Sequence, residues 1–181
     1  MQPFMSYGEI VVLAIGTICL LIFTWRFSVK AGRFHGFYRF IAFESILMLC
    51  LLNWRFWFVE PFSWHQIISW ILLCASLVPA IEGFRLLKVA GEPDGQFENT
   101  TRLVKIGAYK YIRHPLYASL MVLGAGIFFK QPSLVGGVCA IVDVVAIIYT
   151  SWQEEKEMIE RFGEEYVAYI QETKMFIPYI L

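Results

Sequence analysis

The chain reads as an all-α membrane protein of about five transmembrane helices, ending in a helical hairpin and an amphipathic tail helix. Three observations predict this. Hydrophobic residues make up 58% of the 181 positions, against about 45–50% in a soluble domain, and the excess lies in long uninterrupted runs. The basic residues gather on one side of those runs. No Rossmann glycine pattern, phosphate-binding loop, His-Glu-x-x-His or nucleophile elbow is present, so no Rossmann domain is predicted.

Five apolar stretches set the elements: Ile10–Phe27, Ile41–Phe58, Ile67–Leu87, Leu116–Phe129 and Leu134–Trp152. Crossing hydrocarbon takes about 20 helical residues, with a range of about 17–25. All but the fourth meet that length. The fourth spans if Pro115 and Lys130 sit at the two interfaces, and is otherwise re-entrant. Lys130-Gln-Pro-Ser133 is a tight connection, which predicts an antiparallel pair of the last two spans. Past the fifth span, Met158, Ile159, Phe162, Tyr166, Tyr169 and Ile170 recur at three- and four-residue steps. That spacing predicts a surface helix or helix pair, broken near Gly163.

Charge sets the expected orientation. Of fifteen Lys and Arg residues, all but Arg55 and Lys130 fall on one side of the predicted spans, which should be cytoplasmic. The N-terminus is then outside and the C-terminus inside. No basic residue precedes the first run, so that run is expected to be a retained span rather than a cleaved leader. Trp25, Trp54, Trp57, Trp64 and Trp152 lie near span ends, as interfacial anchors do. A polar linker, Ala90–Thr101, differs from its surroundings and is long enough to fold over a ligand.

Composition also excludes partners. A net charge of zero points away from nucleic acid. The four cysteines (Cys19, Cys50, Cys74, Cys139) lie inside apolar spans without metal spacing and read as small core hydrophobes. No metal site is expected.

Two clusters carry the candidate chemistry. In Arg113-His114-Pro115, proline disfavours helix before it and opens one well, so His114 should cap the fourth span. Unpaired N–H groups at a helix start attract anions, and Arg113 adds charge; the plainer alternative is an interfacial cap with a snorkelling arginine. Glu154 and Glu155 follow the fifth span, where carboxylates oppose the helix dipole and call for a cation; a solvated acidic face is the alternative. Antiparallel packing would set the two clusters side by side, with Tyr109, Tyr111 and Tyr117 offering flat faces to a cation. Three acids within spans, Glu44, Glu82 and Asp143, are costly there. Glu82 has Arg85 one turn on, and Asp143 has no sequence neighbour to pair with.

At these residues the chain resembles the isoprenylcysteine carboxyl methyltransferase family, within the wider group of small membrane methyltransferases that includes phospholipid N-methyltransferases. The shared pattern is Leu103-Val104-x-x-Gly107-x-Tyr109, then Arg113-His114-Pro115-x-Tyr117, an apolar hairpin, Glu154-Glu155, and Phe162-Gly163-x-x-Tyr166-x-x-Tyr169. It covers roughly residues 100–178. The resemblance implies a membrane S-adenosylmethionine-dependent methyltransferase, with 1–90 as scaffold and 91–181 as the methyltransferase core. Leu103, Val104, Tyr109, His114, Pro115, Leu116, Tyr117 and Glu154 would line the cofactor, with Glu154 or Glu155 receiving its ammonium group. The acceptor it implies is lipophilic, in the closest case a prenylated cysteine carboxylate entering from the bilayer lipids. Ser119 stands where many relatives have glycine. Thr150 stands where the prenylcysteine enzymes carry arginine, which leaves Arg113 to hold a substrate carboxylate. The alternatives are a phospholipid or small-amine N-methyltransferase, and a non-catalytic membrane or transport protein using the three intramembrane acids.

Overall fold

The computed structural model describes residues 6–28, 35–94 and 100–180. Lys30 and Arg33, residues 95–99 of the polar linker and the first five residues lie outside the described residues. Those described form six helices: α1 (Tyr7–Phe27), α2 (His35–Asn53), α3 (Trp64–Ala90), α4 (Pro115–Phe128), α5 (Leu134–Phe162) and α6 (Glu164–Glu172), with short 3-10 turns at Trp54–Phe56 and Gly107–Lys110. Among them the extended pairings are two isolated bridges, Pro93 with Thr100 and Ile112 with Lys174. The protein is an all-α, multi-pass membrane protein. Tyr7–Phe27, His35–Phe56, Trp64–Ala90 and Leu134–Phe162 are long and apolar enough to cross a bilayer, and α4 is a shorter apolar helix of 14 residues.

Contacts divide the chain into two compact units: residues up to 73 with 123–150, and 74–122 with 151–181. In the first, α1 starts on a capping box, Glu9 N–H donating to Ser6 Oγ and Ser6 N–H to Glu9 Oε2 at 2.7 Å. It buries no residue, as expected of a helix that is apolar all round and faces lipid. Thr17 tethers it, donating to Glu44 Oε1 at 2.6 Å. Helix α2 shows one inward stripe, Ala42, Ser45, Leu49 and Asn53, at helical spacing. Small residues allow close helix approach, as in other membrane bundles: a Cβ on Gly126 would stand 3.0 Å from Leu73 Cδ2, and one on Gly124 only 2.5 Å from Asp143 Oδ2. Asp143 is wholly buried, with neither oxygen hydrogen-bonded.

Lys130 is expected at an interface, yet it is completely buried. Its ammonium lies 3.4 Å from the centre of the Trp70 ring and 5.3 Å from that of Trp57, and donates to Gln66 Oε1 at 3.1 Å. Two aromatic faces and an amide oxygen replace its water. The cysteines also depart from expectation: Cys19 and Cys74 are exposed, and Cys50 and Cys139 half-buried. In a membrane protein an apolar run fixes depth, not which face turns inward.

The second unit holds the remainder of α3, residues 100–114, the first half of α4, the polar end of α5, and α6 with the segment after it. Gly83 of α3 packs closely on Pro115 and Leu116. Glu82 does not turn to Arg85; it accepts the Ala108 N–H at 3.0 Å and so fixes the turn that carries Tyr109. Gly107 in that turn has φ +58°, and a Cβ there would meet Glu82 Oε1 at 2.6 Å. Glycine is therefore required. Helix α5 does not stop at the acidic run. Gln153–Phe162 are mostly good helix formers, and the helix runs on to Phe162 before Gly163, at φ +57°, turns the chain into α6. Glu154 and Glu155 thus lie inside the helix, past its apolar part, and do not oppose its C-terminal dipole.

Candidate functional site

One cleft of the second unit gathers most of the motif residues. Leu87 of α3, Thr100, Leu103, Val104 and Tyr109 line it, with Arg113, His114, Leu116 and Tyr117 around the start of α4. Glu154 and Met158 of α5 and Tyr166 and Tyr169 of α6 complete it. Two residues expected to line a cofactor stand elsewhere. Pro115 is buried against Gly83, and Glu155 forms the polar support behind Arg113 and His114.

Helix α4 begins as its sequence dictates. His114 C=O accepts the first intrahelical N–H, from Ala118, at 2.9 Å, which makes His114 the cap and Pro115 the first helical residue. The N–H groups of the two residues before the helix are already taken. Arg113 N–H donates to Lys174 O at 2.8 Å and His114 N–H to Met175 O at 3.1 Å, while Lys174 N–H donates to Tyr111 O at 3.0 Å. The segment after α6 folds back as a strap along residues 111–114.

Arg113 fastens that strap. Its Nε donates to Glu155 Oε1 at 2.6 Å, and its Nη1 donates to Thr173 O at 2.7 Å and Ile170 O at 3.3 Å. His114 Nε2 lies 3.1 Å from the same Glu155 oxygen, and its ring stacks at 5.6 Å on Tyr117 and meets Phe176 of the strap at 6.0 Å. Burial alone would raise the Glu155 carboxyl, but the hydrogen bonds and charges of His114 and Arg113 outweigh it and hold the group below the ordinary carboxylate range. Glu155 is therefore ionised at neutral pH and fixes Arg113 and the His114 ring.

The tyrosines form the other wall. Tyr169 Oη donates to Tyr109 C=O at 2.5 Å, and Thr173 Oγ1 donates to Tyr169 C=O. Burial, reinforced by the nearby Glu154 charge, pushes the Tyr109 phenol well above its usual range; burial and the acids of α5 do the same for Tyr166. These phenols stay protonated at neutral pH. They can donate hydrogen bonds and present π faces, but cannot act as bases. Outer contacts hold the walls together: Arg161 Nη1 donates to Thr100 C=O at 3.2 Å, and Lys105 pairs with Glu165 at 2.9 Å.

Sequence reasoning named neither Leu87, Thr100 and Met158 nor the two α6 tyrosines as lining residues. The tyrosines did carry a signal, in their three-residue spacing after Gly163. Thr150 is wholly buried, its hydroxyl turned back onto Ala146 C=O at 2.8 Å.

The sequence profile described as phospholipid methyltransferase matches residues 64–165. Methanethiol S-methyltransferase 1 of Bradyrhizobium diazoefficiens is 28% identical over 156 residues, 77% of this chain and 53% of that protein. Methanethiol S-methyltransferase of Pseudomonas deceptionensis is 28% identical over 75% of this chain and 48% of its own length. Protein-S-isoprenylcysteine O-methyltransferase of Rattus norvegicus is 30% identical over 72% of this chain and 50% of its own length. The chain spans about half the length of these curated relatives.

Proposed function

Because the chain belongs to the phospholipid methyltransferase family, we propose that it is an integral-membrane, S-adenosylmethionine-dependent methyltransferase whose cofactor lies in the cleft between α4, the polar end of α5 and α6. One observation carries the reading. The side chains of Tyr109, Tyr117, Tyr166 and Tyr169 line a cleft that the Glu154 carboxylate also lines. That donor set fits a ligand bearing a sulfonium and an ammonium group, since π faces and a carboxylate both favour cations. The enclosed part holds only about 90 Å³, well under the ~300–1,000 Å³ of small-molecule pockets. A bound ligand therefore also fills the mouth or widens the walls.

The cofactor would supply an electrophilic methyl group for in-line displacement by the acceptor. The chain's own residues position and dry the reactants, which is where most of the rate of such a transfer originates. Glu155 fixes Arg113 and His114, Arg113 fixes the strap, and the tyrosines exclude water.

The acceptor we favour is a small or lipid-borne thiol. A carboxylate acceptor in a half-dry cleft needs a fixed cation. Arg113 already serves Glu155, Thr173 and Ile170, and position 150 carries a buried threonine. A thiol loses its proton as its sulfur bonds to the methyl carbon, and we assign Glu154, the carboxylate among the lining residues, to receive it. Relatives named as methanethiol S-methyltransferases support this choice. The second reading is a prenylated cysteine carboxylate, favoured by the motif likeness and the rat relative; it requires Arg113 to release Glu155. The charge bias supports a cytoplasmic cleft, N-terminus outside and C-terminus inside.

Titration calorimetry with S-adenosylhomocysteine tests the cofactor, and no heat of binding would end the reading. Offering purified protein a short alkanethiol and a farnesylated cysteine separates the acceptors, because labelled methyl should reach the thiol. Reporter fusions at Gln131 and after Leu181 should give opposite signals if α4 crosses.

A further inference from the structure

The strap has an outer face that the cleft does not use. Tyr179 is 82% exposed, Ile180 75% and Ile177 48%, and Tyr111 beside them is 46% exposed, its ring centre 6.4 Å from that of Tyr179. Two exposed lysines flank this apolar patch, Lys110, whose ammonium lies 5.9 Å from the centre of the Tyr111 ring, and Lys174. Facing water, such a run of large apolar side chains would be costly.

Its level relative to the bilayer follows from the backbone. Lys174 and Met175 bond to residues 111–114, and the next residue, Pro115, opens apolar α4. The patch therefore stands at the depth where a membrane helix begins. Tyrosines and aliphatic tips at that depth, with lysines at the rim, match the headgroup boundary of a bilayer, and the lysines match anionic headgroups.

We infer that Tyr111, Ile177, Tyr179 and Ile180, with Lys110 and Lys174, form a docking surface for the headgroup region of an anionic bilayer. Lipid on this outer face steadies an inner face that matters to the cleft. The inner face carries the Lys174 and Met175 carbonyls that bind Arg113 and His114 N–H, the Thr173 carbonyl on the Arg113 guanidinium, and Phe176 against the His114 ring. The shape of the cleft is thereby linked to the lipid around it. The docking stands or falls independently of the methyltransferase reading, because its test measures depth and not activity.

The test uses the full chain in nanodiscs of phosphatidylcholine, with and without phosphatidylglycerol, some acyl chains being brominated near the headgroup. Tyr179→Trp adds a fluorophore, read as the difference from the parent protein; Ile180→Trp is the parallel probe should the first disturb the strap. Bromolipid should quench the added emission about twofold more than aqueous iodide does, as interfacial depth requires. Phosphatidylglycerol should deepen that quenching, and Lys110→Gln with Lys174→Gln should remove the deepening. Stronger quenching by iodide than by bromolipid in both probes would place the face in water and overturn the inference. Emission that follows the protein-to-lipid ratio instead would make the face a contact between copies, which also overturns it.

Discussion

Before the start of α4 the Arg113 guanidinium sits 2.6 Å from Glu155, whereas past its far end the Lys130 ammonium sits 3.4 Å from the centre of the Trp70 ring. Both flank the same short apolar helix, and both cations are withdrawn from water. Arg113 is held by a carboxylate and backbone carbonyls, and the carboxylate also binds a histidine that faces a cleft. Lys130 is held by two indole faces and Gln66 Oε1, with no acid in the contacts that cage it. A carboxylate partner keeps its cation charged and ties it to any group sharing that carboxylate. Aromatic faces hold a cation without adding a titrating group, and form a static plug. Only the first arrangement can respond to a ligand.

The largest effect expected from this contrast is that of Arg113→Ala. It removes the main cation of a half-buried Glu155 and frees the strap carbonyls, which should cost at most about 3–5 kcal/mol, the figure for a fully buried pair. Thermal melts in detergent should show the loss, and S-adenosylhomocysteine binding should fall with it. Arg113→Lys keeps the charge but not the fork, and should recover only part of both. An Arg113→Ala protein that melts and binds like the parent would break the comparison at once.

Next come the cleft substitutions. Glu154→Gln and His114→Ala should each weaken S-adenosylhomocysteine binding by about 1–3 kcal/mol, the worth of a hydrogen bond to a charged group. Calorimetry should find the fold nearly intact in Glu154→Gln. His114→Ala should also lower the melting temperature slightly, because Glu155 loses a partner. Unchanged affinity in both would remove the cofactor from this cleft.

Lys130→Met reverses the pattern. It leaves Gln66 Oε1 without its donor and the indoles without a cation, so stability should fall by about 1–2 kcal/mol. Binding should not change. If it does, the plug is coupled to the cleft and the two regions are not separate in kind.

How far the sequence carried this picture depends on which forces leave a linear trace. Apolar runs do, so five helices could be read, and the proline rule placed His114 and Pro115 at the α4 start to the residue. Eight of the ten residues singled out for the site line one cleft: Leu103, Val104, Tyr109, Arg113, His114, Leu116, Tyr117 and Glu154. Glu155 and Pro115 stand behind it, because reading residues as a motif does not say which face of α5 or α4 each occupies. The continuation of α5 to Phe162 was visible in its unbroken helix formers, yet the end of the apolar run looked like the end of the helix. Two features left no trace. A strap joined by a few backbone bonds has no periodicity, and a lysine caged by Trp57, Trp70 and Gln66 needs partners 60 to 73 positions away in the chain.

The smallest predicted effect is also the most selective. The Glu155 carboxyl lies below its ordinary range in the folded protein because His114 and Arg113 favour its charged form over the opposing effect of burial. An acid depressed in this way contributes stability that is fully present above the unfolded carboxylate range, near pH 4.3. That contribution is lost as pH falls towards the folded value, with a slope of at most about 1.4 kcal/mol per pH unit for one proton. Melting temperature measured from neutral pH down to about pH 3 should decline along this limb below about pH 5, in the parent protein and in Lys130→Met alike. In Glu155→Gln the neutral-pH stability should be lower and the limb flatter. A limb that survives Glu155→Gln unchanged would mean the acid response arises elsewhere, and the contrast between the two flanks of α4 would rest on geometry without a titrating group behind it.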